Sequence, residues 1–416
     1  MKKFKKIIYI LLIFLILPFL IANFSFASEQ LETYSAADLI VESSTGKIIY
    51  EKNSKEKRYP ASTTKVMTAL LTLEKCNLSD IATVSADAII LPSGYSNANL
   101  QAGEQISIEN LLYALLVKSA NEAATVLAEH IAGSVENFSN MMNERAKELG
   151  CENTHFVNAN GIHNEDHYTT AYDLFLITKE AMKNETFRKI VSTPSYTLPA
   201  TNKYPTADRY LKNTNDLIRV NKSTRADNYY YQYAIGVKTG YTKEAKNCLI
   251  SASNKDGLEF ISVVLGAGST ENGLSERYLD TINMFNYAYD NYENATIKNR
   301  DEIIDTTEIK NGTKETKDLK LSLKDDLIAF VPKDFDSNSL SYKINLNDNL
   351  FAPIITGDTV GTVTYTVNDT DYTIDLLAGS TVYEKTDISI YLVIAGLTLL
   401  LFAIILMPKK KRNKRK

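Results

Sequence analysis

The sequence predicts an α+β domain whose sheet joins both of its chain ends, then a small all-β domain, then a C-terminal membrane helix. Three observations carry this. Strand-like segments come first, helix-compatible segments fill the middle, and strand-like segments return near residue 234. Near residue 295 helical periodicity stops and a period of two takes over. Finally, Ile388–Met407 is a run of 20 residues without a charge.

Each element has a local reason. Lys2, Lys3, Lys5 and Lys6 precede an apolar run, Ile7–Phe24, and then Ser25-Phe26-Ala27. Basic, apolar and small residues in that order are the layout of a signal peptide, 1–27, expected to be cleaved after Ala27, the alternative being that the run stays as an uncleaved anchor. Ala37–Glu42 and Lys47–Glu51 are expected strands joined by a Ser44-Thr45-Gly46 turn. Tyr59-Pro60-Ala61 breaks the pattern, and Ser62–Cys76 is helix-compatible, with Val66, Met67, Ala69, Leu70, Leu71 and Leu73 apolar. Residues 108–132 and 134–149 follow as helices, the second capped by Ser134 and stopped by Gly150. Residues 169–190 are also helix-compatible. Ala234–Val237, Cys248–Ser253 and Phe260–Gly266 are expected strands, and Leu274–Tyr292 a last helix. These assign 28–294 to the first domain. Over 295–385, Leu319, Leu321 and Leu323 alternate with Lys320 and Ser322, and Val363, Tyr365 and Val367 with Thr364 and Thr366. Short alternating runs mean a small sandwich or barrel-like domain. The uncharged run at 388–407 spans roughly 30 Å as a helix, the thickness of a bilayer core.

The chain has 416 residues, 44% apolar and 23% charged, which argues for folded domains and against disorder. Its formal charge of −4 hides a segregation. Residues 28–387 hold 35 basic and 50 acidic residues, a net of −15. A body that acidic is a poor partner for nucleic acid, so none is expected. The tail, 408–416, carries Lys409, Lys410, Lys411, Arg412, Lys414, Arg415 and Lys416. Positive residues stay in the cytoplasm, so the body is expected outside the cell membrane and the tail inside.

Cys76, Cys151 and Cys248 are odd in number and widely spaced, so no disulfide framework is expected. His155, His163 and His167 lie in a polar, Asn-rich stretch that is expected to be a plain loop, and neither metal nor cofactor is expected.

A serine nucleophile needs a base, and a neutral lysine one helical turn away can serve. Ser-x-x-Lys occurs three times, at Ser44/Lys47, Ser54/Lys57 and Ser62/Lys65. Only Ser62/Lys65 opens an apolar helix, where Ser62 would sit at the positive end of the dipole or act merely as an N-cap. Ser119-Ala120-Asn121 is the only Ser-x-Asn and interrupts an apolar helical stretch. Lys238-Thr239-Gly240 ends the strand Ala234–Val237, and its glycine permits close approach to a ligand or simply makes a hairpin turn.

In that order, and in an exported chain, the three motifs resemble the signature of penicillin-binding proteins and class A β-lactamases. The chain resembles the low-molecular-mass penicillin-binding proteins, and within them the serine D-alanyl-D-alanine carboxypeptidases. The resemblance runs from about 35 to 385. It rests on Pro60-Ala61-Ser62-Thr63-Thr64-Lys65, Lys118-Ser119-Ala120-Asn121 and Gly236-Val237-Lys238-Thr239-Gly240-Tyr241-Thr242, with softer matches at Asn160-Gly161, Thr169–Leu174 and Ala352–Gly361. It implies a β-lactamase/transpeptidase-like fold: an antiparallel sheet with flanking helices and a helical subdomain. It also implies a substrate, peptidoglycan stem peptides ending in D-Ala-D-Ala, with β-lactams as inhibitors and a membrane anchor.

The residue roles implied by the resemblance suit the side chains. Ser62 attacks the penultimate D-Ala carbonyl and Lys65 accepts its proton. Burial and the charge of Lys238 would depress the lysine enough to serve. Ser119 and Asn121 relay a proton and hold the peptide amide. Lys238 and Thr239 face the terminal carboxylate, and the Ser62 and Tyr241 N–H groups form the oxyanion hole beside Gly240. Arg277 could add a second charge for that carboxylate, but by default it is a solvated helix residue and stays outside this set. Two departures stand out: Tyr241 where relatives often carry His, and Ala245-Lys246 where they often carry Ala-Gly. The alternatives are a DD-endopeptidase, a β-lactamase or a sensor that acylates without turnover. A class A Glu-x-x-Leu-Asn is missing from 150–180, where Glu165 and Asp166 are followed by His167-Tyr168-Thr169.

Overall fold

The computed structural model describes residues 31–220, 229–337, 340–386 and 388–406, so the expected signal peptide and basic tail lie outside the described residues. The chain divides into two compact units at Asp290/Asn291.

In the first unit, β1 (Ala37–Glu42) and β2 (Ile48–Lys52) pair across a turn whose Ser44 and Thr45 amides are held by the Glu42 carboxylate. A 3₁₀ turn, Ala61–Thr64, leads into α1 (Lys65–Lys75), so the helix begins three residues later than Ser62. The left-handed Ala61, at φ +47°, is incompatible with an α-helical turn, and the chain passes Ser62 in a 3₁₀ turn before α1 begins. The first eight residues of α1, Lys65–Thr72, are all buried, which makes it the central helix. A two-stranded ribbon, β3 (Ile81–Thr83) with β4 (Gln105–Ser107), precedes the helical layer.

The expected helix over 108–132 is two helices, α2 (Ile108–Leu116) and α3 (Asn121–Ala132). The break lies at Ser119, whose φ of +64° no helix accommodates. Helix α4 (Val135–Glu148) starts at Ser134, whose hydroxyl accepts from the Asn137 amide. Likewise 169–190 divides into α5 (Ala171–Ala181) and α6 (Glu185–Val191), because Asn184 caps a new helix start.

A second ribbon, β5 (Ser195–Leu198) with β6 (Arg209–Lys212), leads on to the long strands β7 (Ala234–Thr242), β8 (Lys246–Lys255) and β9 (Leu258–Ala267), and α7 (Glu276–Asn291) ends the unit. The main sheet is antiparallel, in the order β2-β1-β9-β8-β7, so strands from both ends of the unit share it. Asp256-Gly257, both at positive φ, make the two-residue turn between β8 and β9.

The inner strands β1, β9 and β8 are buried on both faces, which explains why they read as apolar runs. Ala37, Leu39, Val41, Ile261, Val263 and Leu265 join the core formed with α1–α6. The alternate residues Ile40, Phe260 and Val264 are buried on the other face, where Phe260 meets Tyr289 of α7 at 5.0 Å between ring centroids. Each such side chain contributes about 1.5–3 kcal/mol by burial.

The second unit is built of strands, as its period of two predicts. A five-stranded antiparallel sheet contains β11 (Ile303–Glu308), β12 (Asp318–Leu323), β14 (Ser341–Leu346), β15 (Thr359–Val367) and β16 (Thr370–Ala378). A separate pair joins β10 (Tyr292–Lys298) to β13 (Leu327–Pro332). Leu319, Leu321, Leu323, Val363, Tyr365 and Val367 all enter one core. The chain ends, among the described residues, in the apolar helix α8 (Ile388–Leu406).

Candidate active site

The 3₁₀ turn that carries Ser62 is tied down from several directions. Thr63 Oγ1 donates to Pro60 O at 2.7 Å, and Thr64 Oγ1 donates to Ala61 O at 2.8 Å. His167 Nε2 lies 2.8 Å from the same Thr64 hydroxyl, while its Nδ1 accepts from the Val157 amide at 3.1 Å. Since Nδ1 accepts, the ring proton sits on Nε2 and points at Thr64. Burial pushes His167 down to about 3, so the ring stays neutral in this role. The stretch read as a plain loop is therefore partly a brace for the serine turn.

Lys65 is fully buried at the first turn of α1. Its Nζ lies 2.9 Å from Ser62 Oγ, 2.8 Å from Asn121 Oδ1 and 2.5 Å from the Asn160 carbonyl. Asn121 is oriented by its other end, because Nδ2 donates to Ser96 O at 3.0 Å. So two of the three partners of Nζ can only accept, and the third is the Ser62 hydroxyl. Burial first, then the nearby Lys238 ammonium, hold Lys65 well below its ordinary value, and Glu122 pulls weakly the other way. Glu122 itself is buried beside Asn121, with its Oε1 accepting from the Ala98 amide at 2.6 Å. That bond fixes the base of the 93–98 segment, which lines the site through Ser93, Gly94, Tyr95 and Ser96. Ser119, at the α2–α3 break, lines the same groove.

Lys238-Thr239-Gly240-Tyr241 lies inside β7 and not at its end. The strand continues to Thr242, pairing Lys238 with Ile250 and Tyr241 with Asn247, so the hairpin-turn reading is corrected. β7 is the edge strand of the sheet, and Gly240 passes directly against the serine turn. A Cβ there would lie 3.0 Å from Pro60 O and 3.1 Å from Ser62 N, so glycine sets that approach. Tyr241 is 65% exposed at the lip.

Lys238 sits near Lys65 as expected but is absent from the groove lining, whereas Arg277, by default a solvated helix residue, stands in it. Lys238 is buried, donates to Thr239 O at 2.9 Å, and is pushed down to about 7 by burial and by Arg277. It stands behind the groove, and Arg277 stands in the lining instead. Arg277 donates to Gly240 O at 3.2 Å and to Tyr278 Oη at 3.3 Å. Thr239 Oγ1 lies 2.6 Å from Thr214 Oγ1 in the same wall. His167, Thr214 and Ser96 were not legible as site residues, whereas Asn160-Gly161 gave a soft motif signal and Arg277 only a weighed alternative.

The resulting groove has a volume of about 400 Å³ and opens on Ser62, Ser119, Asn121, Thr239, Tyr241 and Arg277. It presents a hydroxyl beside a buried amine, a guanidinium at one end and the edge of a β-strand along one wall. That set can acylate a serine with a substrate that bears a carboxylate and lies extended along β7.

Gly161, also in the lining and packed against the serine turn, is at φ +81°, and a Cβ would fall 1.9 Å from Ala61 O. Gly161→Ala is therefore expected to cost more than about 2 kcal/mol and to lower Tm by several degrees. An unchanged Tm would mean the serine turn yields freely.

Comparison with known proteins gives the chain its relatives. The D-alanyl-D-alanine carboxypeptidase family profile matches residues 24–269, and that of the penicillin-binding protein 5 C-terminal domain matches 292–384. The chain is 33% identical over 366 residues to the D-alanyl-D-alanine carboxypeptidase DacF of Bacillus subtilis, covering 86% of this chain and 87% of that one. Among solved structures it is similar to the D-alanyl-D-alanine carboxypeptidase DacD of Francisella tularensis, with 28% identity, a TM-score of 0.59, and coverage of 85% and 95%. It is also similar to the DD-transpeptidase of Streptomyces K15, with 33% identity, a TM-score of 0.56, and coverage of 62% and 98%.

Proposed function

Because this chain belongs to the D-alanyl-D-alanine carboxypeptidase family of serine hydrolases, we propose that it removes the terminal D-alanine of peptidoglycan stem peptides through an acyl-enzyme on Ser62. The single observation that carries the assignment of roles is Lys65. A neutral amine has two N–H groups and one lone pair. Asn121 Oδ1 and the Asn160 carbonyl accept the two N–H groups, which leaves the lone pair for the Ser62 proton.

The steps follow from these positions. Ser62 Oγ attacks the penultimate D-Ala carbonyl, and its proton passes to Lys65 Nζ. The amide N–H groups of Ser62 and Tyr241 bind the oxyanion, each worth roughly 10²–10³ in rate. The carbon–nitrogen bond breaks, and the departing D-alanine amine takes a proton from Lys65, relayed by Ser119. Water then attacks the ester, gives up its proton to Lys65, and returns Ser62 with a shortened peptide acid. Asn121 holds the substrate amide, while Thr239 and Arg277 hold the terminal carboxylate. Lys238 acts from behind by keeping Lys65 deprotonated. β-Lactams enter by the same acylation. Among the described residues, Asp and Glu are missing from the groove lining, and Glu165 lines a neighbouring cavity. With no carboxylate poised on water there, deacylation of a penicilloyl-enzyme is slow, which separates this chain from a β-lactamase.

The apolar helix α8 carries the chain on a membrane, with residues 28–294 as the catalytic part and 295–385 as the β-rich part outside the cell, and the tail 408–416 in the cytoplasm. The signal segment 1–27 is removed after Ala27.

The test uses the purified chain in detergent. Mixed with benzylpenicillin, it is expected to gain one drug mass and keep it over many minutes. With pentapeptide it is expected to release free D-alanine faster than it cleaves cross-linked dimers. A transient adduct with hydrolysed drug would make it a β-lactamase, and preferred dimer cleavage a DD-endopeptidase.

A further inference from the structure

The charge of the groove opposes that of the chain around it. Residues 28–387 carry a net −15, yet the titratable lining residues of the groove include Lys243 and Arg277 and, among the described residues, no acid. Arg277 already has a task at the end nearest Thr239. Lys243 has none. It is exposed, it is the first residue past β7, and it makes no ion pair among the described residues. The residues after it turn away: Glu244 and Lys246 line the neighbouring cavity with Lys57 and Glu165. The hairpin therefore sends one cation into the catalytic groove and directs its acid elsewhere.

Strand β7 serves as a ruler. Gly240 packs against Ser62, and Lys243 is three residues further on, about 10 Å away at 3.3 Å per residue. Thr239 lies on the other side of Gly240. A peptide extended along this edge, with its scissile carbonyl at Ser62 and its terminal carboxylate toward Thr239 and Arg277, runs its upstream residues past Tyr241 and Thr242. Its second negative charge would then fall at Lys243.

We propose that Lys243 determines specificity by binding a second carboxylate of the stem peptide, upstream of the scissile bond. The inference rests on the carboxypeptidase reading of the same site. Two sources share this chemistry: the side-chain carboxylate of a diamino dicarboxylic third residue, and the free α-carboxylate of the γ-linked glutamate before it. Amidation at either position removes the charge while keeping the shape.

The experiment measures D-alanine release by the full chain in detergent from three pentapeptides: both carboxylates free, the third residue amidated, and the second residue amidated. One amidation is expected to lower kcat/KM about threefold to fivefold, the range of an exposed ion pair, and which one does so identifies the source. In Lys243→Gln that ratio is expected to fall to about one with Tm unchanged, and Lys243→Arg is expected to restore it. High salt should shrink the wild-type preference, because the pair is exposed. Equal kcat/KM for all three peptides on the wild type would overturn the inference alone, as would a preference that survives in Lys243→Gln. No D-alanine release from any peptide, with a penicillin adduct still forming, would overturn the carboxypeptidase reading and this inference with it.

Discussion

Ser62→Ala is expected to abolish covalent labelling by benzylpenicillin and to lower D-alanine release by about 10⁴-fold or more, the scale of losing the nucleophile in a serine hydrolase. Intact mass should show one added drug on the wild type and none on the variant. The fold should persist, because Ser62 is only partly buried, so ΔΔG should stay within about 1 kcal/mol. The structure also explains why the other two Ser-x-x-Lys pairs are poor candidates. Ser44 Oγ donates to Glu42, and Ser54 Oγ donates to Glu51, so each hydroxyl faces a carboxylate and no lysine. An adduct that survived Ser62→Ala would move the nucleophile elsewhere and remove the basis for every role assigned above.

Lys65→Ala is expected to slow acylation about 10²–10⁴-fold, the usual contribution of a positioned general base. The pH profile tests the mechanism more sharply. The acylating form carries neutral Lys65, so the rate should rise with pH as this lysine loses its proton, with an inflection well below the ordinary lysine value. Lys238 helps to depress it, so Lys238→Gln should move that inflection to higher pH. Either a Lys65→Ala enzyme within tenfold of wild type, or an unmoved inflection in Lys238→Gln, would sink the assignment. Stability follows the same sign. Both lysines have depressed values in the folded chain, so below about 10.5 the unfolded chain binds the extra protons. Their contribution to stability is complete only above that value. It is lost as pH falls, through about 7 for Lys238 and through the lowered value of Lys65.

Much of the architecture was legible because it is written in local periodicity. Leu319, Leu321 and Leu323 alternate because one face of their strand enters a core, and all three are buried. Val66 to Leu71 form a nearly continuous apolar run because this part of α1 is buried on every side. Boundaries were less legible where the backbone, and not the side-chain pattern, decides. Ser119 looks like a polar interruption of one helix, yet its left-handed backbone divides two. The strand through Lys238 extends to Thr242 because β8 supplies hydrogen-bond partners that no local pattern announces.

By itself, the sequence determined the order of elements, the chemical types at Ser62, Lys65, Ser119, Asn121 and Thr239, and the acidic body between two basic ends. These are properties of residue identity and of neighbours within a turn or two. Only the tertiary structure decided what surrounds the amine of Lys65. Asn121 and Asn160 reach it from 56 and 95 residues away, and Asn160 does so through a carbonyl that every residue possesses and no motif records. The tertiary structure also decided between the two readings of Arg277, placing it in the groove, 37 residues from the Gly240 carbonyl it holds. Such contacts are set by closure of the sheet between the two ends of the domain, and side-chain identity alone does not encode that closure.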